Sequence, residues 1–229
     1  MTALVLQARL DSSRLPNKSL FPFFGKPMIF RVMEALSFLA VDTRILACPE
    51  DSYSAFAALA EEAGFALVTG PKEDVLSRYC IAIRQTGAGR IIRATGDNPF
   101  VFVDAALALN QEAEALGTDY AAYNGLPHGA GVESVLSEAL LRAEREAKGE
   151  AEREHVCPYI YNNPELFRIH RPPSPGLWHA PGIRITVDTR EDYEFSLLLY
   201  EQLLSLPVEE RCKGKNIIER FKSLQGKIQ

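Results

Sequence analysis

The chain has 229 residues, 47% of them hydrophobic, and a formal net charge of −5, which is enough apolar content for one sizeable core and points to one domain with an appendage. The acidic balance argues against a general nucleic-acid binder, which needs a basic face; no apolar run reaches the length of a membrane span, and the N-terminus lacks the charged start and long apolar core of a signal peptide. Cys48, Cys80, Cys157 and Cys212 are scattered with no C-x-x-C pair and read as buried thiols in a reducing compartment, so a cytoplasmic protein is expected.

Thr2 to Ala8 reads as a short buried strand, apolar and uncharged. The run Arg9-Leu10-Asp11-Ser12-Ser13-Arg14-Leu15-Pro16-Asn17-Lys18 follows at once, with three fixed cations and two hydroxyls in ten residues. Pro16 opposes a helix here, because it lacks a donor and restricts the residue before it. The cations therefore fall on a loop at the carboxyl end of a strand, where open α/β sheets bind ligands. Arginine forks and a lysine point charge suit phosphate oxygens. A solvated basic turn is the plain alternative; the contrast with the acidic chain and the place after the first strand favour a triphosphate cradle. The loop is neither a Walker A motif nor a G-x-G-x-x-G turn.

Lys26 to Leu39 then reads as an amphipathic helix, Arg44–Cys48 as a buried strand and Ser52 to Ala63 as a helix stopped by Gly64. Phe65–Thr69 is a short strand, and a helix carries Val75, Leu76, Tyr79, Cys80 and Ile83 on one side. Arg90–Thr95 is a fourth strand and Val103–Leu116 a helix. Strands alternating with helices of this length imply crossover units and a parallel sheet, hence a doubly wound α/β fold. The rhythm changes after Tyr120, with a strand near Val132–Leu136, a helix from Ser137 and a helical stretch Glu152–Tyr161 interrupted by Pro158. Arg171 to Gly176 holds three prolines and cannot cross a sheet interior. Ile183–Val187 reads as a returning strand and Glu191–Leu204 as a helix. Residues 126–180 thus form an insertion that leaves the sheet and returns, the kind of excursion that builds a subunit interface or a lid.

Two aspartates each follow a predicted strand: Asp97 in T-G-D-N-P and Asp188 in V-D-T-R-E-D. In a parallel sheet both would share an edge with the cationic loop. Mg²⁺ is held by one or two carboxylates plus substrate phosphates, which this trio would supply. Each aspartate alone is equally a helix N-cap; with the loop beside them, metal binding is the better reading. Arg93, just before the Asp97 loop, approaches a sugar or phosphate, or pairs with a structural carboxylate. Glu152 and His155 have the spacing of half a di-iron site but no second E-x-x-H accompanies them. The remaining histidines read as surface residues, and Trp178 as a packing anchor.

Gln7-Ala8-Arg9 through Arg14-Leu15-Pro16-Asn17-Lys18 resembles the signature of the cytidylyltransferases that activate acidic sugars, and within them the branch of spore coat polysaccharide biosynthesis proteins. That branch usually has Gly-Ser-Thr where this chain has Asp11-Ser12-Ser13, and Gly in place of Asn17. T-G-D-N-P and V-D-T-R-E-D look like the family's two metal-carrying motifs. Glu73 to Tyr79 looks like a motif beside the base, with Ser77 or Arg78 on a pyrimidine edge; a capped helix with an outward arginine is the plain alternative. E-R-E-H-V-C-P-Y-I is close to the family's E-R-E-H-V-T-P-Y-I, which implies a role at the sugar pocket or a dimer contact for Arg153 and His155. Gly131-Val132-Glu133 aligns where the family reads G-L-D-V-E-V; the usual aspartate is missing, and Glu133 is a candidate for a sugar hydroxyl.

The resemblance runs from Gln7 to about Tyr200. It implies a nucleotide-diphospho-sugar transferase-like, mostly parallel sheet and Mg²⁺-dependent transfer of a cytidylyl group from CTP to a sugar. Gln7, Ala8, Arg9, Arg14 and Lys18 would hold the nucleotide, Arg9 and Lys18 acting in catalysis, Asp97 and Asp188 would hold the metal, and Arg93 would face the sugar. It also implies sugar binding or dimerisation for residues 126–180, and a two-fold homodimer, which the apolar and aromatic residues of that insertion would supply with an exposed patch. Two alternatives stay open: a UTP- or dTTP-dependent sugar-1-phosphate nucleotidyltransferase, which would normally open with a glycine-rich loop, and a non-catalytic sugar-nucleotide binder of the same fold.

Overall fold

The first strand, β1 (Thr2–Gln7), ends where the cationic loop begins. After the loop come a two-residue hairpin, β2 (Pro22–Phe23) and β3 (Lys26–Pro27), then α1 (Met28–Leu36), β4 (Thr43–Pro49), α2 (Tyr53–Glu62), β5 (Ala66–Gly70) and α3 (Val75–Thr86). β6 (Arg90–Thr95), α4 (Val103–Leu116), β7 (Tyr120–Ala121), β8 (Glu133–Leu136) and α5 (Ser137–Glu146) follow. The chain then runs through α6 (Glu150–His155), α7 (Pro158–Tyr161), β9 (Ile169–His170), α8 (Arg190–Leu203), α9 (Val208–Arg211) and α10 (Gly214–Ile228). This is a computed structural model, and it describes residues 1–228.

Seven strands form one sheet in the order β5-β4-β1-β6-β8-β7-β9. β5, β4, β1 and β6 are parallel, and β8 alone runs antiparallel to both of its neighbours. The chain builds β4 and β5 to one side of β1 and then crosses over to place β6 on the other. The order therefore reverses between β1 and β6, and the carboxyl ends of these two strands frame a crevice there. Alternation along β1 divides the core between the faces. Leu4 and Leu6 pack with Ile29, Met33, Phe56 and Leu109 from α1, α2 and α4. Ala3 and Val5 face Leu76, Tyr79, Leu140 and Ile160 from α3, α5 and α7. A third apolar cluster joins α8 and α10 to Trp178 and the segment from Ile183 to Val187.

Two expectations need correction. Ile183–Val187 is extended but joins no ladder among the described residues. It is a strap held by His128 N–H to Ile183 O at 2.8 Å, Ile185 N–H to His128 O at 2.9 Å and Val187 N–H to Asp97 O at 2.9 Å. Its partners are loop residues, so alternation of buried and exposed positions produced an extended chain without a strand neighbour. Residues 126–180 do not leave the sheet as a block, since β8 inserts beside β6 with Arg93 opposite Glu133. Much of their apolar surface is covered within the chain: Val156, Cys157 and Ile160 are fully buried against its own sheet, and Phe167 and Trp178 are 6% and 8% exposed. Of the residues expected to form a dimer patch, Tyr159 and Tyr161 stay partly exposed, beside the exposed Leu166 and Leu177. The sequence reading also passed over the hairpin, whose turn takes Phe24 and Gly25 at positive φ, and the two C-terminal helices. The four cysteines are buried and unpaired, as expected.

Candidate active site

The crevice at the strand reversal is a cavity of about 440 Å³. Its base is the junction of β1 and β6. Gly96 N–H donates to Gln7 O at 2.8 Å, and a Cβ on Gly96 would lie 2.7 Å from Ile29 Cδ1 and 3.1 Å from Gln7 O, so only glycine lets the T-G-D turn sit this close to β1. The cationic loop turns over the crevice through Asn17, at φ 58° and ψ 18°. That left-handed conformation is one asparagine accepts far better than most residues. Asp11, the other departure in the loop, is answered by Lys72 at 2.7 Å. Burial disfavours the Asp11 carboxylate, but the hydrogen bond and charge of Lys72 prevail and hold its pKa below the ordinary value.

Gln7, Ala8, Arg9, Arg14, Lys18, Arg78, Arg93, Asp97, His155 and Asp188 all line the cavity. Neither aspartate is a helix cap: α4 is capped at Phe102, and α8 at Thr189, which forms a capping box with Asp192. Both carboxylates instead converge on one point. Lys18 Nζ occupies it, 3.3 Å from Asp97 Oδ2, 2.9 Å from Asp188 Oδ1 and 2.6 Å from Val187 O. The second oxygen of Asp188 accepts from Arg184 Nη2 at 2.6 Å, and Arg14 Nη2 lies 3.2 Å from the first. Burial raises the Asp188 pKa, but Lys18, Arg184 and Arg14 outweigh it and leave it below the ordinary value. Two carboxylates aimed at one cation form the donor set a hard divalent ion takes, with substrate oxygens completing its shell. Among the described residues no group of three or more His, Cys, Asp or Glu forms a closed metal cage.

The floor is a hydrogen-bonded set under Arg93. Its Nη1 pairs with Glu133 Oε2, whose other oxygen accepts from Tyr120 O–H at 2.6 Å. Arg93 also stacks over Tyr79, 5.9 Å from the ring centre, and Tyr79 O–H donates to Gln7 Oε1 at 3.1 Å. Burial opposes the charge on Arg93, and Glu133 prevails and keeps the guanidinium ionised. Arg93 therefore pairs with a structural carboxylate and also lines the cavity. Glu133 itself does not line the cavity; it stands behind Arg93. Arg78 is 1% exposed and donates through Nη1 to Pro71 O at 3.0 Å and Lys72 O at 3.1 Å, while its Nε is buried without a partner.

Besides Glu133, two expected residues lie outside the cavity lining. Ser77 sits in the first turn of α3, where its N–H is capped by Asp74 Oδ1 at 3.0 Å. Arg153 is a strut: it bonds Asp74 Oδ2 at 2.8 Å and the carbonyls of Glu144 and Ala147 at 3.1 Å. On the short helix α6 the neighbours of Arg153 point the other way, so Glu154 and His155 reach the cavity. Glu154 faces Arg9 at 3.7 Å. Sequence reasoning overlooked Glu154 and dismissed His128, which also lines the cavity. The signal for His128 was the glycine beside it. Gly129 has φ +97°, and a Cβ there would lie 2.6 Å from Thr186 N, a close approach that locks this loop onto the strap bearing Asp188.

A family model described as Cytidylyltransferase matches residues 3–223. The chain belongs to the cytidylyltransferase family. It is 32% identical over 205 residues to the spore coat polysaccharide biosynthesis protein SpsF of Bacillus subtilis (strain 168), covering 86% of this chain and 85% of that one. Among solved structures, a cytidylyltransferase from Leptospira borgpetersenii serovar Hardjo-bovis superposes with a TM-score of 0.88 at 23% identity, over 98% of this chain and 95% of that one. CMP:2-keto-3-deoxy-manno-octonic acid synthetase, solved with CTP, superposes at 0.69 and 17% identity, over 88% of this chain and 98% of that one. These likenesses agree in fold with the mostly parallel sheet of this cytidylyltransferase. No described helix is long and apolar enough to cross a membrane.

Proposed function

We propose that this chain transfers a cytidylyl group from CTP to a hydroxyl of an acidic sugar in the cytoplasm, releasing pyrophosphate and a CMP-sugar for surface polysaccharide synthesis. The observation that carries the reading is the convergence at the strand reversal of Asp97 and Asp188 on one cation position, beside Arg9 and Arg14 in the same cavity. The acceptor oxygen attacks the α-phosphorus in line; the bond to the bridging oxygen breaks, pyrophosphate leaves and the hydroxyl proton passes to solvent or a nearby base. Arg9 and Arg14 take the charge that develops on the leaving phosphates. Asp97 and Asp188 are the residues that would hold Mg²⁺, which when bound supplies charge neutralisation at the reacting phosphate. Positioning and charge carry such a reaction, so no covalent nucleophile is required.

Arg78 is pinned by two carbonyls and lines the cavity, which suits it to a carbonyl oxygen on a pyrimidine edge. Arg93, oriented by Glu133, offers the cavity floor a fixed cation for the acceptor's carboxylate. The homodimer belongs to this reading on family resemblance, and a solution mass from light scattering tests it. The deciding experiment measures Mg²⁺-dependent pyrophosphate release from the four NTPs and dTTP, each with acidic sugars, neutral sugars and sugar 1-phosphates. Release confined to CTP and an acidic sugar is expected; release with UTP or dTTP and a sugar 1-phosphate, or none with any pair, would refute the reading.

A further inference from the structure

We infer that Lys18 is a resident cation standing in the divalent-metal position, so that its ammonium and a divalent ion are alternative occupants of one point between Asp97 and Asp188. The inference rests on the nucleotidyltransfer reading and deepens it. An ammonium has three N–H donors, and those of Lys18 are matched by Val187 O at 2.6 Å, Asp188 Oδ1 at 2.9 Å and Asp97 Oδ2 at 3.3 Å. Lys18 is 7% exposed, so these contacts replace most of its hydration.

The local charges say why a cation must stand there. Asp188 has two further partners, Arg14 and Arg184. Asp97 pairs with no cation but Lys18 among the described residues. Two carboxylates directed at one point repel unless a positive charge separates them. A divalent ion bound by the same two oxygens would sit about 2.0–2.1 Å from them, in space the ammonium already fills, and like charges so close oppose each other strongly. Metal entry therefore requires Lys18 to leave. Its flexible stem permits the move, and it lines the same cavity as Arg9 and Arg14, where a nucleotide's phosphates would draw it. By linkage, nucleotide favours metal and metal favours nucleotide to the same degree, and divalent metal alone binds poorly.

Mn²⁺ titrations of the nucleotide-free protein, read by electron paramagnetic resonance, test this without turnover. Lys18→Met empties the position while keeping a stem of similar length. It should bind Mn²⁺ at least about tenfold more tightly than the wild type, the scale of one charge-assisted contact. Mn²⁺ alone should also raise its melting temperature more than the wild type's. Equal or weaker Mn²⁺ binding by folded Lys18→Met overturns the inference. Should that variant not fold, the wild type serves: acetylation of Lys18, followed by mass spectrometry, should speed up at Mn²⁺ concentrations that saturate the protein, and an unchanged rate overturns the inference equally. A protein that fails to release pyrophosphate from any NTP would defeat the cytidylyl reading while leaving these measurements free to succeed or fail.

Discussion

At the mouth of the cavity Arg9 and Arg14 meet acidic partners at 3.7 and 3.2 Å with their side chains 42% and 62% exposed. On its floor Arg93 and Glu133 pair directly at 15% and 18% exposure, with Tyr120 bonded to the same carboxylate. Both layers are ion pairs, yet physics gives them different work. An exposed pair contributes little and is readily exchanged for another anion; a buried pair costs desolvation and becomes very expensive to break once made. The mouth can thus trade its carboxylates for a substrate's phosphates, while the floor keeps one geometry before and after binding. Lys18 stands between them, buried like the floor but built on a stem that can move.

The sharpest way to break this comparison is to cut one partner from the floor. Glu133→Ala leaves the Arg93 cation half-buried and unmatched and removes the acceptor of Tyr120. A stability loss of about 3–5 kcal/mol is expected in urea unfolding, and a loss under about 1 kcal/mol would show the floor to be no different from the mouth. Next in size is the carboxylate shared by Arg14 at the mouth and the buried Lys18. Asp188→Asn keeps shape and an acceptor but loses charge, and should lower kcat/KM by roughly 10²–10³ with a shifted Mg²⁺ dependence. Steady-state assays over a range of Mg²⁺ check this; metal titrations identical to wild type would remove Asp188 from the metal site.

The contrast also explains what was legible beforehand. The mouth lies in one unbroken run, Arg9 to Lys18, directly after a buried strand, so local sequence exposes it. Asp97 and Asp188 were legible for the same reason, each trailing an apolar run, although for Asp188 the run is a strap and not a ladder strand. The floor joins residues distant in sequence: Arg93 meets Glu133 because β8 pairs antiparallel with β6, and no periodicity announces that register. Arg153 shows the opposite failure. It stands in the quoted motif directly before Glu154 and His155, which line the cavity, but a helix turns about 100° per residue, so its guanidinium went to the α3 cap instead. Of the insertion's apolar residues, Val156, Ile160 and Phe167 pack in the cluster of α3, α5 and the sheet, and Trp178 in that of α8 and α10.

A milder probe separates the layers from the other side. Arg9→Ala should change unfolding free energy by less than about 1 kcal/mol, since it removes an exposed pair. The same substitution should raise the KM for CTP by about tenfold or more, because a charged contact to phosphate is lost. Urea unfolding and kinetics on one preparation settle it. Comparable losses in both would mean that the mouth is structural.

The smallest expected effect is acid titration. Asp188, Asp192 and Asp11 are all held below the ordinary aspartate range in the folded protein. For Asp188 and Asp192 burial pushes upward, while Lys18, Arg184 and backbone N–H groups prevail. A depressed carboxylate contributes stability that is fully present above its unfolded pKa and is lost as pH falls through the folded one. These groups should therefore leave the melting temperature level from about pH 8 to about pH 5 and lower it only in more acid solution. Asp188→Asn should flatten that acid limb, because the substituted amide has no proton to gain. An acid limb unchanged in Asp188→Asn would place the titrating groups outside the cavity and detach the mouth from the pH response altogether.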